Sequence, residues 1–198
     1  MRVLGLGIWL AAAICLPATA ALADVKVKTK VVNYTIAGKT GDALLDQMDR
    51  RGPKHGFLTR AIAQTGYSVD WAVDWREKAG ACRVADVKAT LSITYNYPKI
   101  AGGLPPDLER RWTRFMAGVR KHEETHGRIA RQMLTAAEKS VAGLSIRNDR
   151  GCRKTQAEVK KRVDRIYAEY EARQRTFDRI EHSEGGNVEK LVMRLAGK

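Results

Sequence analysis

The sequence predicts an α+β protein in which a small antiparallel sheet packs against long helices. Between Tyr67 and Tyr97 apolar residues recur at every second position, the period of a half-buried strand. Between Pro105 and Val141 the period lengthens to that of a helix lying against a core. At 198 residues with 44% hydrophobic and 29% charged, the chain can bury one core and is neither a multi-span membrane protein nor a disordered polyelectrolyte. No repeat of fixed period and no low-complexity tract interrupts it.

The first element reads as an address. Arg2 is the only charge in residues 1–23, an apolar stretch runs from Val3 to Leu16, and Ala21-Leu22-Ala23 offers the small residues that signal peptidase accepts, with cleavage expected before Asp24. Pro17 and Thr19 interrupt the run before it reaches the roughly 20 residues a membrane span requires. The reading is therefore a signal peptide over 1–23 and one domain over 24–198, secreted or periplasmic and not integral to the membrane once processed. Cys15 leaves with the signal. Cys82 and Cys152 then remain in an oxidising compartment, where one disulfide is the economical reading and two inert thiols the alternative.

In the mature part, Val25, Val27, Val31 and then Val32, Tyr34, Ile36 alternate with polar residues as a strand whose face shifts at the Val31-Val32 pair. A short helix follows, capped by Thr40, with Leu44, Leu45 and Met48 on its inner face and Gly52-Pro53 ending it. Tyr67, Val69, Trp71, Val73 and Trp75 form one face of the next strand. After a turn over Lys78 to Gly80, Val87, Ala89, Leu91, Ile93, Tyr95 and Tyr97 form one face of another, an antiparallel pair. Pro98 ends it.

The long helix that follows has an apolar stripe from Leu108 through Phe115, Val119, Ile129, Met133 and Leu134 to Val141. At its centre, three positions inside the arc are His122, Glu123 and His126 rather than hydrophobes. A second long helix, about 154–182, carries Val159, Val163, Ile166, Tyr167, Tyr170 and Phe177, and Gly185-Gly186 breaks it.

His122-Glu123-Glu124-Thr125-His126 is an H-E-x-x-H pattern on a helix. Histidines four apart share a face, so both imidazoles can reach one Zn2+ ion at about 2.0–2.1 Å. Glu123 beside them can take a proton from the zinc-activated water and return it to a leaving amine, which is the chemistry of a metallopeptidase acting on a protein or peptide substrate. On a solvated face the same residues would be a coincidence; in a core stripe an unpaired Glu is costly and calls for a purpose.

With its signal segment, the Gly52-Pro53 turn, the Trp71 and Trp75 strand, Cys82, the Tyr97-Pro98 strand end, Trp112 and the His122 to His126 motif, the chain resembles the bacterial family of predicted secreted zinc-dependent proteases. The resemblance covers most of the mature chain. It implies a zincin-like metallopeptidase domain. The family pattern also holds an aromatic-Asp pair with a His shortly after it, which Phe177-Asp178 and His182 match, although Ser183-Glu184 follows where a Gly is expected.

Catalytic zinc needs three protein ligands and an open position. Beyond His122 and His126, the candidates rank His182, then Asp178, whose partner role would be to orient a ligand from behind, then Glu171. His55 reads as a solvated turn residue. A tight hairpin of the two long helices would instead set residues around 168–172, with Glu169 or Glu171, opposite the histidine pair.

The formal charge of +14 favours anionic envelope surfaces as partners, and no reading motif points to nucleic acid. Two other functions compete: a basic envelope-binding protein whose zinc site is structural or decayed, and a zinc amidase acting on peptidoglycan.

Overall fold

A computed structural model of the chain describes residues 25–55 and 59–198, the side chain of His55 excepted. The expected signal peptide and its cleavage point lie outside the described residues. In chain order the elements are β1 (Lys26–Ile36), α1 (Gly41–Arg51), β2 (Lys54–His55), β3 (Thr59–Arg60), β4 (Gln64–Lys78), β5 (Ala81–Ile100), α2 (Pro106–Val141), β6 (Ser145–Arg147), a 3-10 turn (Arg150–Cys152), α3 (Arg153–Glu181) and α4 (Asn187–Ala196). The fold is α+β, as the sequence predicts.

β4 and β5 form the long antiparallel pair, in register from Gln64↔Asn96 to Lys78↔Ala81 with one irregularity at Asp74/Trp75. Ala79 and Gly80 both have positive φ in the turn between them, the conformation that matches the right-handed twist of a two-residue hairpin. β1 lies on the other side of β5, and here the expectation of a purely antiparallel sheet is corrected. The β1–β5 pairing is parallel, from Lys26↔Thr90 to Ile36↔Ile100. Alternation reveals which face of a strand is buried but carries no strand direction. The parallel direction is possible because α1, β2, β3 and β4 all lie between β1 and its neighbour β5 in the chain. β6 pairs antiparallel with the first residues of β5.

α2 crosses the buried face of the sheet. Leu91, Ile93, Tyr95 and Tyr97 of β5 pack with Leu108, Phe115, Met116, Val119, Ala130 and Leu134 of α2, and Ile36, Leu44, Met48 and Leu195 close the same core. Pro106 in the first turn and Asp107 and Glu109 beside it suit the start of α2. Beyond the end of β1, the Ala89 N–H has no strand partner on that side and donates instead to Glu138 Oε1 of α2 at 2.9 Å. A smaller cluster, Met133, Ala137 and Ile166 with Tyr67, Val69, Trp71, Tyr167 and Tyr170, joins α2, α3 and β4.

The connection from α2 to α3 decides which residues face each other. The chain leaves α2 at Val141, runs along β5 as β6 and re-enters a helix only at Arg153. Asp149 accepts from the Lys154 and Thr155 amides at 2.9 and 2.8 Å, and so serves the first turn of α3. Cys82 and Cys152 are at disulfide distance, their sulfurs 2.08 Å apart, tying the start of β5 to the start of α3. This detour shifts α3 along α2: Arg162 donates to the Ser140 carbonyl, and Gln174 stands beside His126. The tight-hairpin alternative with residues 168–172 opposite the histidines is therefore replaced.

α4 has no counterpart in the sequence reading. It seats Leu195 in the core, and Arg111 donates to the Leu195 carbonyl at 2.6 Å. Gly41 opens α1 against that same carbonyl: a Cβ at Gly41 would lie 2.0 Å from Leu195 O. Among the described residues, no helix is long and apolar enough to cross a membrane.

Because backbone, not a flexible side chain, fills the space at Gly41, Gly41→Ala is expected to destabilise the fold by about 1–3 kcal/mol. Gly66→Ala, where nothing lies within 4 Å, is the control and should stay within about 0.5 kcal/mol. Chemical denaturation of the two variants measures both.

Candidate metal centre

Mid-way along α2, the helical spacing turns His122 and His126 toward α3 and Glu123, one residue around, toward the start of β4. The two imidazoles meet Asp178 from the last turns of α3. His122 Nε2 is 3.2 Å from His126 Nε2. Asp178 Oδ1 lies 2.8 Å from His126 Nε2 and 3.4 Å from His122 Nε2. A tetrahedral ion with bonds of about 2.0–2.1 Å holds its ligand atoms about 3.3 Å apart, so these three atoms already have the spacing of a ligand set.

The other ring nitrogens face acceptors. His126 Nδ1 is 2.5 Å from Gln174 Oε1, and His122 Nδ1 is 3.6 Å from Glu181 Oε2. With a proton on each Nδ1, both Nε2 atoms present lone pairs toward a carboxylate oxygen. Three acceptors converging on one point need a cation among them, whether a proton or a metal ion, and two imidazoles plus one carboxylate suit zinc. Phe177 stacks on the His122 ring with centroids 4.9 Å apart and meets His126 edge-on at 5.1 Å, giving the pair an apolar wall.

Asp178, ranked second in the sequence, thus stands nearest the histidine pair. His182, ranked first, is exposed at the C-terminal end of α3. Its ring meets His122 edge-on at a centroid distance of 5.4 Å, and one of its nitrogens lies within 4.8 Å of donor atoms of both His122 and Asp178. With His122 and Asp178 it makes a group of three side chains able to hold one ion, alongside the tighter His122, His126 and Asp178 set. Glu171, ranked third, accepts the Tyr67 hydroxyl instead, and Glu169 is exposed.

Glu123 is only 6% exposed. The Thr65 hydroxyl of β4 donates to its Oε2 at 2.6 Å. Burial pushes the Glu123 carboxyl up from the usual range, opposed by the Thr65 hydrogen bond and by the charges of His122 and His126. For Asp178 burial also pushes up, but its hydrogen bonds to both histidines and their charges prevail and hold it well below the carboxylate range. His126 is pulled down by burial, yet the hydrogen bonds to Asp178 and Gln174 outweigh this and leave it raised. His182, although exposed as a residue, is lowered by partial desolvation and by the charge of His122.

Sequence reasoning did not single out Thr65 or Gln174. Thr65 carried no signal, being one polar residue at a strand end. Gln174 did: it falls on the apolar stripe of α3, four residues after Tyr170 and three before Phe177, where a hydrophobe is expected. This is the same kind of interruption that marks His122 and His126 in α2.

A family model described as bacterial protein of unknown function (DUF922) matches residues 31–186. No curated protein and no solved structure matches the chain.

The pair His126–Asp178 gives the metal-free protein a pH signature. Asp178, depressed when folded, stabilises above its unfolded value of about 3.9 and loses this as pH falls. His126, raised when folded, stabilises below its unfolded value of about 6.5 and loses this as pH rises through its folded value. Thermal melts of metal-free protein are therefore expected to show the pair's contribution largest between about pH 4 and 6.5, with Asp178→Asn removing it. A stability difference between wild type and Asp178→Asn that stays the same inside that range and well outside it on both sides would contradict the pairing.

Proposed function

The chain belongs to that family of bacterial proteins of unknown function, and from the geometry of its histidine cluster we propose that it is a secreted or periplasmic zinc-dependent metallopeptidase that hydrolyses peptide bonds. The observation that carries the reading is the convergence of His122 Nε2, His126 Nε2 and Asp178 Oδ1 beside a buried carboxylate, Glu123. His122, His126 and Asp178 would hold the ion, with His182 flanking the remaining position. Zinc, when bound, supplies Lewis-acid polarisation of a carbonyl and acidifies a water.

The chain's own residues supply the rest. Thr65 occupies one oxygen of Glu123 by hydrogen bonding to Oε2, which leaves Oε1 as the proton acceptor. As general base, Glu123 takes a proton at that atom and then delivers it to the departing amine. Burial favours this second half, because a carboxyl with a raised pKa holds and transfers a proton nearer to neutral pH. Phe177 keeps water from the rear of the imidazole pair.

The second reading is a structural zinc site. It is favoured by one observation, the nitrogen of His182 within 4.8 Å of the His122 and Asp178 donors, since a fourth protein ligand would close the site. The formal charge of +14 suits an anionic envelope partner under either reading.

Glu123→Gln is expected to retain zinc and lose peptide hydrolysis by at least about 100-fold, the lower end of what a general base contributes. Hydrolysis at the wild-type rate in the variant would remove Glu123 as the base, whereas a zinc-loaded wild type that hydrolyses no peptide would support the structural reading. Thr65→Val removes the hydrogen bond that holds the Glu123 carboxyl down, so the acid limb of the pH profile of kcat/KM should move upward. The loss should accordingly be greater at about pH 6 than at about pH 8; an unmoved limb would remove Thr65 from the account.

A further inference from the structure

We propose that Gln174 is the positioning residue that sets His126 as a metal ligand before any metal arrives. The inference rests on the zinc reading above for its consequence, but its geometry does not. Gln174 lies on the inner face of α3, 9% exposed, and its amide makes two bonds to one residue. Oε1 is 2.5 Å from His126 Nδ1, and Nε2 donates to the main-chain carbonyl of His126 at 3.2 Å.

The second bond fixes the first. A carbonyl oxygen only accepts, so the NH2 end of the amide must face His126 O, and the oxygen end must face the ring. Oε1 also only accepts, so Nδ1 must carry a hydrogen. In a neutral imidazole the other nitrogen then has the lone pair, and that nitrogen, Nε2, is the one 3.2 Å from His122 Nε2 and 2.8 Å from Asp178 Oδ1. The α2 backbone thereby dictates the tautomer of its own side chain through an amide on another helix.

His122 has no such grip. Its Nδ1 is buried without a hydrogen bond, with Glu181 Oε2 at 3.6 Å. The two histidines are thus unequal, and His126 is the one held in advance. The arrangement also explains an amide rather than a carboxylate at position 174. A carboxylate could accept from Nδ1 but could not donate to His126 O, and it would add a second negative charge close to Asp178.

The experiment compares wild type, Gln174→Met and Gln174→Glu, with far-UV circular dichroism to verify the fold. In metal-free protein, 15N-edited proton spectra should show the His126 Nδ1–H as a slowly exchanging signal in wild type and in Gln174→Glu, and lose it in Gln174→Met. Zn2+ affinity by chelator competition should fall about 10–100-fold in Gln174→Met and recover most of that in Gln174→Glu. Wild-type affinity and an unchanged signal in Gln174→Met would overturn the proposal. Failure of wild type to bind Zn2+ at all would overturn the metal reading, and the role in metal binding with it, while the proton signal would still report whether the hydrogen bond exists.

Discussion

Two imidazole nitrogens and a carboxylate oxygen meet between α2 and α3 at separations of 2.8–3.4 Å, and with neutral rings protonated at Nδ1 all three would be acceptors. Elsewhere this interface is an ordinary apolar one, built from Met133, Ala137 and Ile166 with aromatic residues of β4 and α3 around them. A helix pair that replaces apolar contacts with three converging acceptors gives up burial energy at that point unless a cation joins them. The surrounding features follow from that requirement. Phe177 covers the rings, Gln174 turns one of them, and Glu181 approaches the other.

The position of the cluster along the helices depends on features far from it. β6 and the 3-10 turn lengthen the connection after α2, and Asp149 with the Cys82–Cys152 link fixes where α3 begins. In the chain-entropy model, closing a separation of 70 residues stabilises the fold by about 4 kcal/mol. More pertinent to the site, the anchor sets the helix register at which Asp178, rather than a residue near 170, reaches the histidines. The sheet has a comparable part. β4 pairs with β5 over its whole length, so Thr65, near the start of that pairing, is held opposite Tyr95 and within hydrogen-bond reach of Glu123.

Much of this was legible in the residues, and the parts that were not share a cause. Periodicity exposed β4, β5 and α2, because each buries one face along many residues; the apolar stripe also made His122, Glu123 and His126 conspicuous as exceptions within it. Strand direction was not legible for β1, since alternation is the same in either direction. α4 was hidden by its brevity and by the Gly185-Gly186 break ahead of it. That both Asp178 and His182 come near His122 depends on the α2–α3 register, a property of β6 and of the cysteine link rather than of either helix. Glu123 was expected on the histidine face, and its rotation toward Thr65 is visible only once β4 is in place.

The central claim concerns an ion held between α2 and α3, and X-ray absorption at the zinc edge of the reconstituted protein examines it most directly. The account predicts one zinc per chain with two imidazoles and a carboxylate oxygen at about 2.0–2.2 Å and a further light-atom ligand. A sulfur ligand, or a spectrum of hydrated zinc without imidazole scattering, would contradict it.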